Sequence, residues 1–228
     1  MRQISQGKRS QCQNKRKPGR LCQRRIKVKR GRSEQYSLED SQVTDLLKEA
    51  SGNLEDRTAL KLFIYLGLRV SEACHLNRDW VDKDEIAIPL TMPCECLNCT
   101  TSQHPGMWHA KSKAAARVLP VLDNLADDLY PFLRLSPRGF QVTRQGMWWK
   151  IKYLAKGANI HVKGLSHGTI YPHVLRATCA TKLAVKGMSA PALCYWMGWA
   201  SISMGEHYIN IARAKSEAHA QYRHIMGQ

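Results

Sequence analysis

The sequence predicts an α+β chain, mainly helical with a small antiparallel β-hairpin or sheet. Three observations carry this. Apolar residues recur at helical spacing up to Leu68 and again from Leu125 onward. Two segments between them, Glu85-Ile86-Ala87-Ile88-Pro89 and Arg117-Val118-Leu119-Pro120-Val121, are short and β-branched or alternating. Finally, 228 residues of which 43% are hydrophobic suit one main domain with a core of its own.

Residues 1–35 stand apart. They hold thirteen Lys or Arg and one acidic residue, Glu34, and so carry +12 of the chain's formal +17. With little apolar periodicity, this stretch is expected to be a disordered arm that grips phosphates when DNA is present, or else a basic tail that only aids solubility. The overall excess of 35 Lys+Arg over 18 Asp+Glu favours a polyanionic partner, most simply nucleic acid. The N-terminus lacks the apolar core of a signal peptide and no run is as long as a membrane span, so an intracellular, DNA-associated protein is expected. Its eight cysteines then read as thiols or metal ligands, not disulfides.

Order begins near Tyr36. Ser37 with Asp40 resembles a capping box, and Val43, Leu46 and Leu47 give a helical stripe ending near Gly52. A second helix starts at about Asn53 and ends in the dense apolar run through Leu66-Gly67-Leu68. Arg69 follows at the edge of that run, with Glu72 one turn later, and the pair reads either as a phosphate clamp with its orienting carboxylate or as a structural ion pair. The two strands come next, and Lys111 and Lys113 lie just before the second of them, where a side chain reaches a groove or is simply solvated. Between the strands, Cys94-x-Cys96-x2-Cys99-x4-His104, with His109 nearby, offers three thiols and an imidazole. Those ligand types fit a structural zinc shell, but the run departs from a plain C-x2-C knuckle and reads equally as a reduced hairpin tip.

Helices are expected over Asp123 to Leu135, capped by Asp123, and from Thr143 to Gly157, with their aromatics serving as core packing. A loop spans 164–172. The stretch from Tyr171 to Tyr208 then holds His173 and Arg176 on one helical face, a break at Gly187, Met197-Gly198-Trp199-Ala200-Ser201-Ile202-Ser203, and a lone tyrosine. An arginine fork suits a phosphate because it donates two parallel hydrogen bonds. Past Met204 the chain continues helically to about Ala220, and residues 209–228 form a tail that docks on a neighbouring protomer or frays.

Four of these stretches, in this order, resemble the boxes of the tyrosine recombinase or phage integrase family, whose catalytic domain residues 36–210 match. GLRVSEACHL is similar to its first arginine box, KSKAAARVLPV to its hairpin lysine segment, HVLRATCAT to its His-x-x-Arg box, and MGWASISMGEHY to its final box. The resemblance implies that Arg69 and Arg176 clamp the scissile phosphate, Lys111 is the general acid, His173 a second acid/base, and Tyr208 the nucleophile. Trp199 stands where a histidine is usual; its indole donates a hydrogen bond but moves no proton. It also implies double-stranded DNA as substrate, a homo-oligomer (a tetramer) at synapsis, and no cofactor for catalysis. Family members usually carry a helical DNA-binding domain ahead of the catalytic one, where this sequence has the basic arm. Two rival readings are a type IB topoisomerase and an inactive DNA-binding regulator. The second is disfavoured because every reactive position holds a competent residue.

Overall fold

The structure, a computed structural model, describes residues 36–162 and 170–227, the Lys215 side chain excepted. The arm at 1–35 and most of the loop at 164–172 lie outside the described residues.

Helix α1 covers Asp40–Glu49 and buries Val43 and Leu46. Its cap is Glu39, whose N–H donates to Gln42 Oε1 at 3.0 Å, and not Ser37 as the sequence suggests. The start is displaced because Leu38 is buried and its N–H is already committed to Thr178 Oγ1, 2.9 Å away, which holds that residue outside the helix. Helix α2, Leu54–Tyr65, begins where expected, with the Asn53 side chain accepting the Asp56 N–H. A six-residue helix α3, Val70–His75, has Arg69 as its N-cap.

The two expected strands pair antiparallel as β2, Glu85–Ile88, and β5, Arg117–Pro120, with a two-residue β1, Val81–Asp82, on the far side of β2. Their register sets Ile86 opposite Leu119, both buried, so Arg117 shares the inward face of β5 with Leu119. The long connection between them is itself folded. Strands β3, Thr91–Pro93, and β4, Met107–His109, form a second antiparallel pair, and a helical turn α4, Leu97–Thr100, closes its tip. Met92 faces Trp108 across this pair, and Trp108 packs on Trp80 with ring centres 5.2 Å apart. β4 leads directly into Lys111.

Helix α5, Asp123–Leu135, packs on α2, where the buried Asp128 pairs with Arg57 and Lys61. Asp123 is its first residue; the cap position falls to Leu122, which cannot supply a side-chain acceptor. Thr143 caps α6, Arg144–Gly157, by accepting the Gly146 N–H. Met147, Ile151 and Leu154 enter the core as expected, but Trp149 and Tyr153 do not: they are 55% and 75% exposed, and the Lys152 ammonium sits 4.9 Å from the Trp149 ring centre. The hub is α7, Pro172–Val185, which packs against α2, α6, α8 (Ala190–Met197) and α9 (Ile202–Met226). Helix α9 starts slightly before Met204 and runs past Ala220. Among the described residues no helix is long and apolar enough to cross a membrane.

Candidate active site

The first arginine, Arg69, is held on three sides. Its backbone N–H donates to Glu72 Oε2 at 2.9 Å, one guanidinium nitrogen donates to Glu72 Oε1 at 2.7 Å, and the other to the Gly198 carbonyl at 2.6 Å. Glu72 therefore acts as both the capping and the orienting carboxylate, so the phosphate-clamp and ion-pair readings of this pair are compatible. About a fifth of the Arg69 side chain, 19%, is exposed.

Arg176 comes from α7 and is buried, with 4% exposed. Its two terminal nitrogens donate to the Gly67 and Met197 carbonyls, at the end of α2 and of α8. Burial, and after it repulsion from Arg69, draws its pKa down to about 9, still high enough to keep the charge at neutral pH.

Two glycines make these contacts feasible. Gly67 has φ +61°, and a Cβ there would lie 2.8 Å from the Met197 sulfur. Gly198, the left-handed cap of α8 at φ +62°, would place a Cβ 3.0 Å from Arg69 Nη1 and 2.8 Å from Arg117 Nη1. Each carbonyl thus approaches an arginine over a space that any side chain would fill.

Sequence reasoning missed Arg117. Its side chain has no exposed surface and reaches both Glu72 oxygens, at 3.2 and 3.1 Å, as well as the Trp196 and Ala115 carbonyls at 2.8 and 2.7 Å. Glu72 is accordingly shared between Arg69 and Arg117. Burial raises its pKa, but Arg117, Arg176 and Arg69 together outweigh burial and hold the carboxyl below its usual 4.5. The stability this confers is present above the unfolded carboxyl's value and is lost as pH falls through the lower folded one. Glu72→Gln should therefore destabilise the chain by about 3–5 kcal/mol at neutral pH, because two arginines lose their counter-charge. The gap between wild type and variant in urea unfolding should narrow in acid; a gap that is small at neutral pH or widens in acid would refute this linkage.

Tyr208, on α9, is 4% exposed and belongs to a cluster with Ala177, Cys179, Ala180, Leu193, Met197 and Ala212. Its ring stacks on Trp199 at 5.0 Å between centres and 19° between planes, and the Trp199 ring centre is 5.9 Å from the Arg176 guanidinium carbon. Arg69, Arg176, Trp199 and Tyr208 are thereby linked in one place. His173 lies in the first turn of α7 with its side chain exposed, and Lys111 is exposed just past β4. Among the described residues neither the Lys111 nor the Lys113 ammonium has a hydrogen bond or ion pair, and both side chains are exposed.

The expected zinc set changes by one residue. Cys94, Cys96 and Cys99 do cluster, but the imidazole among them is His75, at the end of α3. His104 turns instead toward His109, with ring centres 4.8 Å apart. A cleft of about 950 Å³ borders this cysteine tip and none of the six catalytic candidates.

Several proteins are similar to this chain. Tyrosine recombinase XerD of Haemophilus ducreyi is 28% identical over 192 residues, covering 82% of this chain and 62% of that protein. XerD of Pseudomonas aeruginosa is 31% identical over 172 residues, 74% of this chain and 54% of that protein. The chain thus spans less than two thirds of the length of these curated relatives. The fold is similar to that of XerA recombinase (TM-score 0.61, 20% identity, 82% of this chain and 65% of that one). The Tn1549 transposon integrase, solved in complex with transposon right-end DNA, gives a TM-score of 0.61 at 21% identity over 81% of this chain and 66% of its own. The catalytic domain of bacteriophage HP1 integrase gives 0.52 at 20% identity over 82% and 94%. Residues 36–215 match the family model described as the phage integrase family, and it is to that family that this chain belongs.

Proposed function

We propose that this chain is a site-specific recombinase that cuts and rejoins duplex DNA through a covalent 3′-phosphotyrosyl intermediate. One observation carries the reading. Three buried or half-buried arginines, from the α3 cap, β5 and α7, surround one carboxylate, which leaves two positive charges uncompensated beside the Trp199–Tyr208 stack. In a poorly solvated pocket such an excess favours an anion, and a phosphodiester that bridges Arg69 and Arg176 relieves their mutual repulsion.

The roles we assign draw on that arrangement together with the family resemblance. The Tyr208 oxygen attacks phosphorus, a P–O bond to tyrosine forms, and the bond to the 5′ oxygen breaks. The phenol's proton passes to His173 and the departing 5′ oxygen takes one from Lys111, a role suited to an exposed lysine that the duplex would cover. Arg69 and Arg176 hold the non-bridging oxygens, Trp199 adds its indole N–H, and Glu72 with Arg117 keeps Arg69 in place. Rejoining reverses these steps with a new 5′ hydroxyl. Because only 4% of Tyr208 is exposed, attack requires α9 to present more of the ring to the duplex. Exchange between two sites calls for several protomers on DNA, a tetramer at synapsis.

Supercoiled circles that carry no target pair, and linear duplexes that carry one, test the reading against DNA relaxation. A recombinase yields junctions between two sites, whereas relaxed circles from any sequence would transfer the same chemistry to a topoisomerase. The lysine assignment has its own test. A substrate with sulfur at the 5′ bridging position departs as a thiolate and needs no proton. It should restore cleavage to Lys111→Ala and not to Arg176→Ala; rescue confined to Lys113→Ala would move the acid two residues.

A further inference from the structure

We propose that Cys94, Cys96, Cys99 and His75 hold a structural zinc ion, and that this ion fastens the β3–β4 hairpin to α3. The second half rests on the reading of Arg69 and Lys111 given above; the first half stands without it.

The four ligand atoms lie within 4.8 Å of one another. His75 Nε2 is 3.5 Å from Cys96 Sγ and 3.3 Å from Cys99 Sγ. Zn–S and Zn–N bonds of tetrahedral length place such a nitrogen and sulfur about 3.5 Å apart, and two sulfurs about 3.8 Å apart. Rotation of Cys94 and Cys96, neither of which is buried, takes up the remaining difference.

The imidazole is prepared for the task. His75 Nδ1 is 2.7 Å from the Ser71 carbonyl oxygen, which can only accept, so the proton sits on Nδ1 and the Nε2 lone pair faces the sulfurs. The ring is held from the side by Trp108, with centres 5.5 Å apart and planes at 30°, and the Trp108 indole donates to Ser71 Oγ at 2.9 Å. The tip is equally well set. The Cys99 N–H donates to the Cys96 carbonyl at 2.9 Å, which forms a tight turn across the C-x2-C pair, and Cys94 is tied across the hairpin to the Gly106 carbonyl at 2.8 Å. Three thiolates and one imidazole in a closed shell select zinc over magnesium or calcium, which prefer oxygen.

The placement gives the ion a consequence. His75 ends the helix that Arg69 begins, and the cysteines close the hairpin whose far end runs through Trp108 into Lys111. One metal centre therefore joins the element carrying the clamp to the element carrying the general acid: Arg69 is about 9 Å from His75 by helix rise and Lys111 about 16 Å from Gly106, the partner of Cys94, by strand rise.

The full chain, purified under reducing conditions from zinc-supplemented culture, should contain about one zinc per chain by elemental analysis. Cobalt(II) in its place should show tetrahedral d–d bands with thiolate-to-cobalt charge transfer. Both signatures should be lost in Cys96→Ser and in His75→Ala and kept in His104→Ala. Background zinc together with immediate labelling of Cys94, Cys96 and Cys99 in the wild-type chain would overturn the site, as would retention in His75→Ala with loss in His104→Ala. Chelation should also slow DNA cleavage, and added zinc should restore it. A zinc-bound chain whose cleavage is indifferent to stripping would overturn the coupling to the active site. Tyr208→Phe should keep its zinc, so a failure of the recombinase reading would be seen separately.

Discussion

Tyr208→Phe is expected to abolish the covalent protein–DNA adduct while duplex affinity stays close to that of the unaltered chain. The substitution removes one oxygen. It keeps the ring that stacks on Trp199 at 5.0 Å and that fills the small cluster with Leu193, Met197 and Ala212. A buried aromatic swapped for its deoxy counterpart retains nearly all its packing. DNA affinity is expected to survive because duplex binding is carried mainly by Lys and Arg charges on phosphates, and the substitution changes no charge. Two other tyrosines in the same half of the chain provide the contrast. Tyr195 has its hydroxyl engaged with the Val118 backbone on β5, 3.2 Å from the carbonyl, and Tyr222 lies on the exposed far end of α9, well past the arginines. Adducts that persist in Tyr208→Phe would move the nucleophile to one of these.

Arg176→Lys is expected to slow single-turnover cleavage by about 10²–10³, the usual effect of removing one fixed donor from a developing negative charge. A lysine keeps a charge but cannot span the Gly67 and Met197 carbonyls while also presenting a nitrogen to a phosphate. At least one carbonyl between the ends of α2 and α8 is left without a donor, which destabilises the fold by about 1–3 kcal/mol. Burial also favours loss of the lysine's proton. Cleavage measured under single-turnover conditions, beside urea unfolding, separates the two effects. Near-normal cleavage by a folded Arg176→Lys chain would remove Arg176 from the clamp.

The parts of this site that the sequence displays are those defined by short spacings. Arg69 with Glu72 and His173 with Arg176 are each one helical turn apart, so a face suffices to pair them. The strands at 85–88 and 117–120 announce themselves by alternation, the starts of α2 and α6 by their caps, and α5 by its apolar stripe. Arg117 was legible too, though a different rule finds it. It has the same parity in β5 as the buried Leu119, and a strand with an inward arginine requires an inward carboxylate, which Glu72 supplies. His75 was not legible. It lies 21 residues before Cys96, and only the packing of α3 on the β3–β4 hairpin brings the two together. The nearer His104 matched the ligand type and failed on position. Caps shifted where tertiary bonds took priority, as at Leu38, whose N–H serves Thr178.

Covalent attachment of Tyr208 to DNA can be read directly. A duplex with a nick just past the cleavage position loses its short leaving strand and traps the intermediate. Nuclease and protease digestion of the trapped complex, followed by mass spectrometry, identifies the residue that carries the nucleotide. A 3′-phosphoryl nucleotide is expected on the peptide containing Tyr208, absent when Arg69 or Arg176 is replaced by alanine. A nucleotide on any other residue, or cleaved DNA with no protein attached, would contradict the Tyr208 assignment.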